Sequence, residues 1–126
     1  MIVVDTSALM AIINAEPGAQ KCLRALQAGG LVISAGTLAE AFIVAAGRKI
    51  TAQMTALIEG LDFEIVPVDA QVARRVGTTY AQWGKGIHPA GLNFGDCFAY
   101  ALAKERNCPL LYVGNDFSQT DIVAAG

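Results

Sequence analysis

The stretch Ile2-Val3-Val4-Asp5-Thr6-Ser7-Ala8-Leu9 decides how this chain is built. Its β-branched run reads as a short buried strand, which ends at once on an acid and two hydroxyl residues. Thr6 or Ser7 can cap a helix over Ala8–Asn14, and the Glu16-Pro17-Gly18 turn separates it from a second helix, Ala19–Ala28. The same order then recurs. Further strand-like runs at Leu31–Ser34, Glu64–Val68 and Leu110–Val113 alternate with helical segments. Those segments are Leu38–Ala46 with Thr37 as cap, Thr51–Leu61, Ala70–Trp83 with Asp69 as cap, and Phe94–Arg106. Strands alternating with helices form a parallel sheet, so the expected class is an α/β fold, with residues 1–126 as one domain.

Composition narrows the function. Of 126 residues, 54% are hydrophobic and 16% charged, the reverse of a disordered tail or a coiled coil. Nine Lys and Arg against eleven Asp and Glu leave a net charge of −2, which argues against a nucleic-acid binder working by phosphate neutralisation alone. Cys22, Cys97 and Cys108 show no zinc or disulfide spacing and read as buried thiols in a reducing compartment. Asp5 interrupts the N-terminal apolar run, and no stretch reaches the ~20 apolar residues of a membrane span. A soluble, cytoplasmic protein is expected.

Ligands of open parallel sheets bind beyond the carboxyl ends of the strands. The polar residues expected there are mostly acids. Asp5 follows the first strand and Asn115-Asp116 follow the last, while Glu40 and Asp96 stand inside otherwise apolar helices. Singly, each has an ordinary explanation as a cap, a first-turn acid, a turn residue or a solvated position. Together, four converging carboxylates would repel, and no Arg or Lys lies within three residues of any of them. A hard divalent cation, Mg²⁺ or Mn²⁺, resolves that repulsion through oxygen ligands. Such a site suits phosphodiester hydrolysis, which then needs neither His nor Lys as general base. The single histidine, His88, sits in the glycine-rich loop before Asn93, and Cys97 has no His or Asn at useful range. A Walker loop and a dinucleotide fingerprint are absent.

The same residues carry a family resemblance. Ile2–Leu9, Glu40 in its apolar helix, Leu92-Asn93-Phe94-Gly95-Asp96-Cys97-Phe98-Ala99-Tyr100-Ala101-Leu102-Ala103 and Leu111-Tyr112-Val113-Gly114-Asn115-Asp116-Phe117 together resemble PIN-domain ribonucleases. More narrowly, they look like the toxins of bacterial VapBC toxin–antitoxin pairs, over the whole chain and in order. The resemblance implies a doubly wound sheet of order 3-2-1-4-5, flanked by helices, with an acidic site at the strand carboxyl ends. It implies that Asp5, Glu40, Asp96 and Asp116 are catalytic and hold Mg²⁺ or Mn²⁺, with Asp121 as an alternative fourth acid. Thr6 would orient Asp5 or a metal-bound water, Ser7 would support the turn, and Asn115 would assist near Asp116. It further implies endonucleolytic cleavage of transfer or ribosomal RNA, a homodimer, and a VapB-type antitoxin whose tail blocks the site.

A net-negative chain needs local cations to meet RNA. Arg48-Lys49 and Lys85 flank segments leading to site acids and are the candidate phosphate contacts, with Arg74-Arg75 a further basic pair. Tyr80 and Trp83, three apart on a helix, either stack on a base or pack inward. Without the four acids the chain would be net positive, so the deficit belongs to the proposed pocket. Three other readings remain: a stand-alone metal-dependent nuclease or phosphatase acting on DNA or another phosphoester, an inactive PIN-like binding domain, and a receiver-like domain. The receiver expects an acidic pair near the first strand and a Lys after the last, and this chain has neither.

Overall fold

The computed structural model describes all 126 residues. In chain order the elements are β1 (Ile2–Val4), α1 (Thr6–Ile13), α2 (Ala19–Leu26), β2 (Leu31–Ser34), α3 (Ala35–Gly47), α4 (Thr51–Leu61), β3 (Glu64–Val66), α5 (Ala70–Trp83), α6 (Phe94–Arg106) and β4 (Leu110–Leu111). All strand pairs are parallel, in the order β3-β2-β1-β4. Val3 stands opposite Val32 on one side and Leu110 on the other, and Val4 opposite Leu111.

The period of two sorts each strand between two cores. Val4, Ile33 and Leu111 join Leu9, Met10, Cys22, Met54 and Ile58 beneath α1 to α4. Val3, Val32 and Leu110 join Val76, Leu92, Tyr100, Leu102 and Phe117 beneath α5 and α6. Both faces of the sheet are covered, which is why β2 is buried at every position. No helix is long and apolar enough to cross a membrane.

Several expected boundaries shift, each for a local reason. The fifth strand position holds a single bridge, Leu110 to Ala124, so the sheet has four strands and the order ends at β4. Asp121 just before this segment is tied sideways to α6, and Gly126 just after it turns to φ +81°, so little extended chain is left to pair. β3 stops at Val66 because Pro67 has no N–H to continue a ladder. β4 stops at Leu111, and the Val113 N–H is diverted to the Ser7 hydroxyl. Asp5, not Thr6 or Ser7, caps α1; Ser34, not Thr37, caps α3 by accepting from the Gly36 N–H at 3.1 Å. α2 ends two residues before the expected Ala28. The Asp69 cap and the spans of α4, α5 and α6 are as expected.

Candidate active site

The carboxyl end of β1 turns straight into α1, and Asp5 occupies the junction. Its Oδ2 accepts from the Ser7 N–H at 3.1 Å and the Ser7 hydroxyl at 2.6 Å. That hydroxyl also accepts from the Val113 N–H at 3.0 Å, locking the loop after β4 against the start of α1. Ser7 therefore both orients Asp5 and supports the turn. The Thr6 hydroxyl donates to Glu40 Oε1 at 2.7 Å. The other oxygen of Asp5, Oδ1, is buried without any hydrogen-bond partner. Asp5 is only 4% exposed, so this is an orphaned carboxylate oxygen in the interior.

Asp96 arrives from the other face of the sheet on the first turn of α6. It forms a reciprocal capping box with Asn93: the Asp96 N–H donates to Asn93 Oδ1 at 2.8 Å, and Asp96 Oδ2 accepts from the Asn93 N–H at 3.0 Å. The N-x-x-D spacing of Asn93 and Asp96 was the sequence signal for this support. What carries Asp96 to Glu40 is Gly95. A methyl group placed on Gly95 would overlap the Glu40 carboxylate, and one on Gly36 would overlap the Phe98 ring. Two glycines thus let α3 and α6 close on each other where their acids lie, a role that the acid pattern alone did not show.

Asp116 is exposed on the loop after β4, beside the fully buried Phe117 that anchors it. Its charge, with those of Asp5 and Glu40, bears on Asp96. Asp121 stands elsewhere: it accepts from the Tyr100 hydroxyl at 2.5 Å and from Lys104 Nζ at 3.0 Å. Of the two candidates for the fourth acid, Asp121 is in an ion pair with Lys104 and Asp116 is in none. Asn115 precedes Asp116, and its carbonyl accepts from the Ser118 hydroxyl at 2.8 Å. Lys85 lines a cavity of about 510 Å³ together with Asn93, Phe94 and Tyr80. Arg48 and Lys49 are displaced from the acids, since they follow the far end of α3, ~12 Å along the axis from Glu40. Trp83 packs inward, its indole N–H donating to the Tyr100 hydroxyl at 2.9 Å.

The electrostatics follow from burial without counter-charge. The three ion pairs of the molecule, Arg75–Glu105, Lys104–Asp121 and Arg106–Glu64, involve none of the four site acids. Burial, reinforced by Glu40, pushes Asp5 up to about 6 despite the Ser7 hydrogen bonds. Burial, then the charges of Asp5, Asp116 and Glu40, pushes Asp96 up to about 7. Burial, then Asp96, pushes the Cys97 thiol up to about 11, which leaves it a poor nucleophile.

No three of the acids, cysteines and His88 stand close enough to enclose an ion by themselves. Asp5, Glu40 and Asp96 are instead each held by a separate donor, Ser7, Thr6 and Asn93 in turn. The donor set fits a hard cation nonetheless: it is all oxygen, it contains the orphaned Asp5 Oδ1, and the charge of Asp5 bears on the buried Asp96. Mg²⁺ and Mn²⁺ keep much of their water and take only one or two carboxylates, so a closed cage is not required.

The PIN domain family model matches residues 2–123. The chain belongs to the PIN-domain family. Within it, the chain is 42% identical to the VapC ribonuclease Mb0625 of Mycobacterium bovis, over 98% of this chain and 97% of that protein. The fold is similar to that of VapC20 of Mycobacterium tuberculosis, described as a sarcin-ricin loop cleaving toxin (TM-score 0.78, 18% identity, 98% and 97% of the two chains). It is also similar to a chain of a toxin–antitoxin complex from Klebsiella pneumoniae (TM-score 0.71, 20% identity, 99% and 97%). These PIN-domain neighbours share the parallel sheet flanked by helices.

Proposed function

We propose that this PIN-domain protein is a Mg²⁺- or Mn²⁺-dependent endoribonuclease toxin of the VapC kind, acting in the cytoplasm on transfer or ribosomal RNA. The observation that carries the reading is the buried, unpartnered Oδ1 of Asp5, in a chain where a second buried acid, Asp96, feels the charge of Asp5 and neither is in an ion pair. Asp5 and Asp96 would hold the metal, with Glu40 and Asp116 completing the acid set. Once bound, such an ion supplies an activated water and stabilises charge developing on the phosphate oxygens. The protein's own part is positioning. Ser7 fixes the Asp5 carboxylate, Thr6 fixes Glu40, Asn93 fixes Asp96, and the Ser7 bond to Val113 aligns the loop that carries Asn115 and Asp116. Lys85 would take a flanking phosphate, and cleavage would leave 5′-phosphate and 3′-hydroxyl ends.

Neutralisation would come from a VapB-type antitoxin. An apolar cavity of about 590 Å³, lined by Ile43, Val68, Phe94 and Phe98, opens beside Glu40 and could take a tail carrying apolar and arginine residues. The VapC names of relatives near 40% identity and the toxin–antitoxin complex among the fold neighbours support this partner. A homodimer is proposed on the family resemblance. The test is expression with and without a VapB-type antitoxin: wild type alone should arrest growth and cleave RNA with Mn²⁺, and Asp5→Ala should do neither. Growth arrest by Asp5→Ala equal to wild type would overturn the reading.

A further inference from the structure

We propose that Thr37 is a positioning residue of the acidic site, and that its buried hydroxyl and the free oxygen of Asp5 hold one internal water between them. The inference rests on the metal-site reading above and adds to it a residue that sets the Asp5 carboxylate. Two buried side-chain oxygens in the molecule have no partner in the protein, and they are Asp5 Oδ1 and Thr37 Oγ1. Thr37 is fully buried, so bulk solvent does not reach its hydroxyl. Buried polar groups are costly when unpaired, and those that the chain itself does not satisfy are ordinarily satisfied by ordered water.

Local structure explains why the Thr37 hydroxyl is left over. Threonines in α5 return their hydroxyls to the carbonyl four residues back, Thr78 to Arg74 at 3.1 Å and Thr79 to Arg75 at 2.8 Å. Thr37 stands in the first turn of α3, and the residue four back is Ile33, inside β2. Nor does Thr37 cap the helix, because Ser34 takes the Gly36 N–H. Its backbone is nonetheless tied into the site. The Thr37 carbonyl accepts from the Thr6 hydroxyl at 3.3 Å, the same hydroxyl that donates to Glu40 Oε1, and Thr6 is the residue after Asp5. Glu40 follows three residues after Thr37, one turn along the same face of α3. The two orphaned oxygens thus belong to residues that share Thr6 as a neighbour, and their chemistry is complementary. A hydroxyl can donate, whereas an ionised carboxylate only accepts. A water that accepts from Thr37 and donates to Asp5 Oδ1 satisfies both. Asp5 is then gripped at each oxygen, Oδ2 by the Ser7 N–H and hydroxyl and Oδ1 through Thr37, which fixes the plane of the carboxylate that is to meet the cation.

The test compares Thr37→Val and Thr37→Ser with wild type. Valine keeps the shape and removes the hydroxyl, and serine keeps the hydroxyl. Magnetic relaxation dispersion of the solvent water, measured on the metal-free proteins, counts long-lived internal waters. The count should fall by one in Thr37→Val and stay at the wild-type value in Thr37→Ser. Calorimetric titration with Mn²⁺ should show affinity weaker by about tenfold in Thr37→Val and close to wild type in Thr37→Ser. An unchanged water count or an unchanged Mn²⁺ affinity in Thr37→Val would overturn the proposal. A higher melting temperature with unchanged affinity would do the same, because that is the result of simply deleting an unpaired hydroxyl. Serine no better than valine would assign the loss to packing and also overturn it. Wild type supplies a check that needs no variant to fold: the Thr37 methyl should show a nuclear Overhauser effect to a long-lived water, and its absence would sink the proposal. The parent reading fails separately. A wild type that holds this water but binds no Mn²⁺ would sink the metal site and leave the Thr37 water; Mn²⁺ binding without the water would do the opposite.

Discussion

Two groups of acids in this small domain have opposite fates. Glu64, Glu105 and Asp121 lie on the rims of the sheet and helices, each bonded to an Arg or Lys. Asp5, Glu40 and Asp96 lie at the strand carboxyl ends, where hydroxyls and backbone N–H groups hold them and no cation pairs with them. The contrast appears in their protonation. Hydrogen bonds from Arg106 hold Glu64 below the usual carboxylate range, and the Tyr100 hydroxyl with Lys104 does the same for Asp121. Burial and mutual repulsion lift Asp5 and Asp96 instead. The lesson is that carboxylates are not marked as functional by their number or their burial alone. What marks them is burial that the protein leaves without counter-charge.

The largest effect should come from removing a charge on the uncompensated side. Asp96→Asn keeps an acceptor for the Asn93 N–H, so it should fold, yet it should lose about 10²–10³ or more in kcat with Mn²⁺. Gly95→Ala is the next sharpest break, because its methyl must displace the Glu40 carboxylate. Cleavage should fall by about tenfold or more and stability by about 1–3 kcal/mol, read by assay and by urea unfolding. Both acids with raised values bind protons more readily in the fold than their ordinary 3.8. Their contribution to stability is therefore fully present below about pH 4 and is lost as pH rises through about 6 for Asp5 and about 7 for Asp96. The metal-free protein should accordingly unfold at a higher temperature at pH 5 than at pH 8, with Mn²⁺ erasing much of the difference. Glu64 and Asp121 work the other way, losing their contribution as pH falls below the ordinary carboxylate range. Asp121→Asn should do least: cleavage unchanged, and stability lower by no more than ~1 kcal/mol for a largely exposed pair.

Much of this was readable in the residues. Ile2–Val4 running into Asp5 predicts a strand that delivers an acid to a helix start, and Leu31–Ser34 repeats the pattern, because a fully buried parallel strand needs an unbroken apolar run. The spans of α4, α5 and α6 followed from spacing and caps. What the residues did not show depended on partners distant in sequence. Nothing near Ser7 tells that its hydroxyl will take the Val113 N–H and so shorten β4. Nothing near Thr6 points to Glu40, thirty-four residues away. Arg48 and Lys49 follow Glu40 closely along the chain, and α3 sets them ~12 Å farther along its axis. The bonds that tie Asp121 needed Lys104 and Tyr100, which the fold alone brings to it.

The central claim is that the uncompensated acids, and not the paired ones, form a divalent-cation site. Mn²⁺ titration of wild type, Asp96→Asn and Asp121→Asn, followed calorimetrically at pH 8, tests it most directly. The account predicts binding to wild type, affinity at least tenfold weaker in Asp96→Asn, and affinity unchanged in Asp121→Asn, the tenfold being about 1.4 kcal/mol. Equal affinity in all three proteins, or a loss confined to Asp121→Asn, would contradict it.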